Sequence, residues 1–137
     1  MRAKYLFAAV ALSFALFVGA WSCLGTQTGS AELSPESYAA ETRCGWFVNP
    51  TPANAWLNDA AGEWVIGVQG GFQAEGDWPD FDPDQWVNTN VNYGYGCACM
   101  NVTTNRKAKR ITRIISSRAR PLSVCRKDKA ISKREPR

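Results

Sequence analysis

The sequence predicts a mainly β fold: a small single domain of antiparallel hairpins stapled by two disulfides. Three observations carry that prediction. The apolar segments are short and alternating, as in Glu63-Trp64-Val65-Ile66-Gly67-Val68-Gln69, where Trp64, Ile66 and Val68 share one face. Glycine, proline and Asn/Asp clusters separate these segments at close intervals, and no long stretch repeats at helical spacing. Four of the five cysteines, Cys44, Cys97, Cys99 and Cys125, lie beyond an export-type leader, an even set suited to pairing in an oxidising compartment.

The leader opens with Arg2 and Lys4 and continues as an apolar run from Tyr5 to Val18, the form of a secretory signal peptide. Small-x-small sites at Val18-Gly19-Ala20 and Gly29-Ser30-Ala31 put cleavage after residue 20 or 31, so residues 1–31 are assigned to the signal and 32–42 to an N-terminal linker. Lipid attachment at Cys23 is the alternative, disfavoured by the bulky Trp21 where a small residue is usual. The apolar run falls short of the roughly 20 residues that span a bilayer. The mature chain is therefore expected in the periplasm or secreted, without a transmembrane span. About 105 residues then remain, enough for one domain with a marginal core.

Along that domain Asn49-Pro50-Thr51-Pro52 reads as a rigid connector. Ala55–Asn58 and Glu63–Gln69 flank Asp59-Ala60-Ala61-Gly62, whose final glycine suits the left-handed position of a bulged hairpin turn. Gly70-Gly71 ends the second strand. A second hairpin runs from Tyr95–Thr103 through the polar turn Asn105–Ala108 to Lys109–Ser117. The stapled domain is placed at residues 43–129 and a basic disordered tail at 130–137. Each disulfide would close a loop long enough to contribute about 3–5 kcal/mol. Cys97 and Cys99, two apart on one strand face, have little slack to join each other, which leaves Cys44 and Cys125 as their partners in one of two arrangements. A four-thiolate metal site would want a second close pair, so no metal and no cofactor is assigned.

Charge divides the chain sharply. From Glu32 to Asn105 a single basic residue, Arg43, stands against ten acidic ones, whereas from Arg106 to Arg137 thirteen Lys and Arg face only Asp128 and Glu135. Arg106, Lys107, Lys109 and Arg110 are the candidates for an anionic surface; the competing reading is self-pairing between the two halves. The block carries no groove-reading motif, which excludes a specific nucleic-acid partner.

The acidic-aromatic segment Glu75-Gly-Asp-Trp-Pro-Asp-Phe-Asp-Pro-Asp-Gln-Trp86 is the strongest site candidate, with Asp77, Trp78, Asp80, Asp82 and Trp86 as its ligand-binding residues. Carboxylates and aromatic rings on a proline-stiffened loop suit a sugar face, a cationic peptide or a metal. As a calcium loop, Asp80, Asp82 and Asp84 take the first alternating positions, but Gln85 replaces the turn glycine and Val91 the bidentate glutamate. A glycosidase would need two of the acids at a defined separation across a cleft. The plainer alternative is an exposed acidic loop with its aromatics turned inward. Trp46 and Trp64 are expected in the core, with Trp78 and Trp86 reaching the surface. Gly94 and Gly96 alternate with Tyr93 and Tyr95 and leave room for another backbone or a ligand. The chain has no histidine, which excludes Ser-His-Asp and Cys-His catalytic sets, His-ligated zinc and imidazole acid–base chemistry.

At Arg43-Cys-Gly-Trp-Phe-Val-Asn-Pro-Thr-Pro-Ala-Asn-Ala-Trp-Leu57, Glu63–Gly71 and Tyr93-Gly-Tyr-Gly-Cys-Ala-Cys99 the chain resembles a family of small exported bacterial proteins catalogued as domain of unknown function 4087. The resemblance runs from about Arg43 to Asp128, with Pro121–Arg126 as the closing cysteine segment. It implies export and a disulfide framework, and brings no activity, ligand or catalytic residue. The expectation is a non-catalytic binding or interaction module of the cell envelope, its partner an envelope glycan, an anionic lipid or an envelope protein. The alternatives are a carboxylate-dependent hydrolase of envelope glycans and a structural envelope protein.

Overall fold

A computed structural model describes residues 39–137. The export signal and Cys23 expected upstream lie outside the described residues. Six strands form one sheet: β1 (Glu41–Thr51), β2 (Asn54–Asp59), β3 (Gly62–Gly67), β4 (Trp86–Asn90), β5 (Tyr93–Asn105) and β6 (Arg110–Arg120), followed by the short helix α1 (Leu122–Lys127). Both predicted hairpins are present as β2–β3 and β5–β6, and Gly62 holds a φ of +123° at the first turn.

Pairing closes the sheet into a ring. β1 hydrogen-bonds to β2 on one edge and β5 on the other, β5 continues to β6, and β6 meets β3 through one parallel pair, Val65 with Arg110. β5 is long enough to carry two neighbours on one edge, β4 along residues 93–96 and β6 along 97–105. With β4 set aside, the ring order and its parallel closing pair are those of the OB barrel, a five-stranded Greek-key barrel. The parallel contact is brief because Gln73–Glu75 enters the gap between β3 and β6. There the Ala74 N–H donates to the Ile66 carbonyl (2.8 Å), the Glu75 N–H to Thr112 (3.0 Å), and the Ile114 N–H to Glu75 (2.7 Å).

β1 and β4 are the strands that sequence alternation missed, β1 because it is covered on both faces. Phe47 points into the barrel with Leu57, Trp64, Ile66, Met100, Val102 and Ile111, whereas Trp46 points outward into a second core with Tyr95, Cys97, Cys125 and Ile131. Its bend between β2 and β5 needs Gly45, where a Cβ would sit 2.2 Å from the Asn58 carbonyl oxygen. The expected connector is shorter than its prolines suggested: Asn49–Thr51 belongs to a bulged end of β1, and only Pro52-Ala53 turns to β2. The bulge is held by the Asn49 amide, which donates to the Thr51 and Asn54 carbonyls at 2.8 and 2.6 Å. Val68 does not share the buried face of Trp64 and Ile66, since β3 stops at Gly67 and Val68 is 42% exposed.

The disulfides are Cys44–Cys99, between register neighbours of β1 and β5, and Cys97–Cys125, which fastens α1 onto the outer face of β5. The stretch from Ala130, expected to fray, is anchored instead. Ile131 is buried in the outer core, its carbonyl accepts the Trp46 indole N–H at 3.0 Å, and Glu135 accepts from the Tyr95 hydroxyl and from Arg126. A charge-rich composition hid one well-placed apolar residue.

Candidate ligand-binding site

The acidic-aromatic segment crosses the barrel end at which β1 finishes and β5 begins. Gly96 makes this possible: a Cβ there would lie 2.4 Å from the Phe81 ring, so the missing side chain is the seat of Phe81. Phe81 and Trp86 pack with ring centroids 4.9 Å apart, and Phe47, reaching out from the core, meets Trp78 at 5.6 Å and Phe81 at 5.8 Å. Trp78 and Trp86 are thus half-buried: one flank of each ring closes the core while the other remains accessible.

Between these rings lies an open cleft of about 320 Å³, lined by Phe47, Trp78, Phe81, Trp86, Pro79 and Pro83, with Asp80 and Asn49 as its polar groups. The Asn49 NH₂ is engaged by the β1 bulge, which leaves its oxygen as an acceptor. Such a site offers flat apolar faces and a few directed acceptors, the usual make-up of a small-ligand pocket. Of the five candidate residues, Trp78, Asp80 and Trp86 come together here. Asp77 lines a separate hydrophilic depression of about 610 Å³ along β6, with Glu75, Arg113, Ser116 and Ser117. Asp82 stands at the head of the 3₁₀ turn Pro83–Gln85, where its backbone N–H donates to the Gln85 side chain at 3.2 Å. The Asp80, Asp82, Asp84 alternation forms no calcium cage: among the described residues no three acidic, histidine or cysteine side chains converge. Phe47 and Asn49 were not legible as cleft residues, because only the fold brings β1 beside the segment thirty positions on.

The basic candidates cluster at the opposite end, in the β5–β6 turn. Arg106 donates to Glu41 (2.7 Å), Lys109 lies 4.6 Å from the Trp64 ring and donates to the Ala61 carbonyl, and Arg110 stacks on Phe72 at 4.9 Å. Lys107 is exposed. Below them Arg43, the one basic residue of the acidic half, bridges Glu41 and Asp59 and lies 3.7 Å from the Trp64 ring centroid. Asp59 also accepts the Trp64 indole N–H (3.1 Å) and the Ala61 N–H (2.8 Å), and Thr104 donates to Glu41. The Thr104 hydroxyl, with Arg43 and Arg106, holds the Glu41 carboxyl below its ordinary value. Self-pairing of the two halves is therefore real at Glu41–Arg106 and, at 3.9 Å, at Glu75–Arg113, but leaves most of the basic surface in solvent.

Fold and site together define a small disulfide-stapled β-barrel with an aromatic cleft at one end and a basic turn at the other. The chain belongs to the family described as protein of unknown function (DUF4087), whose model matches residues 38–132. Comparison with curated proteins and with solved structures gives no match.

Proposed function

We propose that the protein is a non-catalytic binding module of the cell envelope that holds a sugar ring of an envelope glycan in the cleft of Trp78, Phe81 and Trp86. The observation that carries this reading is the cleft itself: accessible aromatic faces stack on a pyranose ring, and the Asp80 carboxylate and the Asn49 oxygen accept from its hydroxyls. The two disulfides are compatible with an oxidising, extracytoplasmic location. The hydrolase reading is weaker, since Asp80 is the one carboxylate lining the cleft while Asp77 and Asp82 lie elsewhere, and glycoside hydrolysis uses two acids flanking one bond.

The test is a glycan array that includes peptidoglycan fragments, read for retention and for released products. Retention without turnover, lost on Trp78→Ala and reduced on Asp80→Asn, supports the module. Released fragments would replace it with the hydrolase, and retention indifferent to both variants would remove the cleft as the site.

A further inference from the structure

A second feature lies on the barrel wall, away from the cap cleft. Along β2 the residues Ala55, Leu57 and Asp59 face inward, so Trp56 and Asn58 face out. Trp56 is paired in register with Val65 of β3, and Val65 with Arg110 of β6, which sets an indole, an isopropyl group and a guanidinium in one row across three strands. The ends of the row are roughly 10 Å apart, two interstrand spacings. Trp56 and Val65 belong to neither core, and both are partly accessible. Arg110 is exposed and held over the Phe72 ring, and exposed Lys107 follows in the adjoining turn.

We infer that this outer β2–β3 face, with the β5–β6 turn, is a second binding site, and that its ligand is an acidic oligosaccharide. An aromatic platform takes the face of a sugar ring, the Asn58 amide beside it offers both donor and acceptor, and Arg110 stands about two sugar rings further along the row to meet a carboxylate, with exposed Lys107 in the turn that precedes it. A single platform and one nearby acid, Glu63, opposite Asn58, suit spaced carboxylates better than a strand with a phosphate at every unit, which is tracked by several stacking rings and a continuous basic groove. On barrels of this connectivity the outer face of the second and third strands is also where oligonucleotides and oligosaccharides bind, an analogy of fold that agrees with the side chains found here. The site is independent of the cap cleft, whose polar groups are acidic and amide.

The test is titration of the full chain with a hyaluronan hexamer, whose carboxylates fall on every second ring, a neutral glucose hexamer and a thymidine oligonucleotide, each at two salt concentrations. The acidic hexamer should bind, weaken as salt rises, and lose about tenfold in affinity on Trp56→Ala, the scale of an aromatic anchor. Lys107→Gln with Arg110→Gln, both on exposed side chains, should weaken binding and flatten its salt dependence, and Glu63→Gln should strengthen it. The crossed result separates the two sites, Trp56→Ala affecting the acidic ligand and Trp78→Ala the neutral one. Preference for the oligonucleotide, acidic-hexamer binding lost on Trp78→Ala but kept on Trp56→Ala, or affinity untouched by Lys107→Gln with Arg110→Gln in a chain that melts normally would each overturn the assignment.

Discussion

Glu41 shows how one side chain ties the two charge halves together. Its carboxylate accepts from Arg43, Thr104 and Arg106 at once, and its side chain is only 22% exposed. Because folding lowers its pKa, its contribution is fully present above the ordinary glutamate value of about 4.3 and is lost as pH falls through the lower folded value. Glu41→Gln should therefore cost about 1–2 kcal/mol at pH 7 and flatten the acid limb of stability below about pH 4.3, checked by urea melts across pH 2–7. Equal acid sensitivity in parent and variant would remove Glu41 from the account. Gly96 sets a steric limit of the same local kind. Gly96→Ala drives a methyl into the Phe81 ring, and overpacking of that sort typically costs about 1–3 kcal/mol. The expected result is a lower Tm together with altered tryptophan fluorescence from the displaced cap, and an unchanged melt would show that Phe81 moves freely.

Among the elements, the C-terminal segment and the barrel are held by different means. Cys44–Cys99 joins strands already paired in register, while Cys97–Cys125 is the covalent tie between β5 and α1. Replacing Cys97 and Cys125 by Ser should loosen the segment that covers Trp46 and Tyr95 before it opens the barrel, since the inner core shares none of those residues. Limited proteolysis should then cut beyond Pro121 while hydrogen exchange in β2 and β3 stays slow. Cleavage no faster than in the parent would mean that Ile131, with the Glu135 contacts to Tyr95 and Arg126, suffices to hold the segment.

At the scale of the molecule, two cores share one thin wall, β1 and β5, and neither is large. Loop closure over separations of 55 and 28 residues contributes about 4 kcal/mol per disulfide in the chain-entropy estimate, against a total stability of about 5–15 kcal/mol for a domain of this kind. Reduction of both bonds should therefore unfold the protein or leave it barely folded at 25 °C, seen as loss of the near-ultraviolet signal of Trp46 and Trp64. A reduced chain with an undiminished signal and melting point would show that the cores alone are sufficient. The charge division of the sequence is folded together at this scale: Glu41 and Asp59 lie beside the basic turn, while β6 carries Arg118 and Arg120 back toward the cap, opposite Cys99 and Cys97.

Sequence by itself determined the β class, the two hairpins, the burial of Trp46 and Trp64 and the two-disulfide framework, because alternation, turn residues and cysteine parity are local or countable signals. Tertiary structure decided the rest. The pairing of Cys44 with Cys99 follows from β1 lying against β5, a contact between residues 55 positions apart that no local pattern encodes. Trp78, Asp80 and Trp86 were legible as a set, but their separation from Asp77 and Asp82 depends on Phe81 finding the space left by Gly96. The place of Trp56 beside Arg110 depends on the parallel closing pair of β3 and β6. Side-chain chemistry is written residue by residue, whereas which residues share a cleft or a face is fixed only when distant strands close the ring.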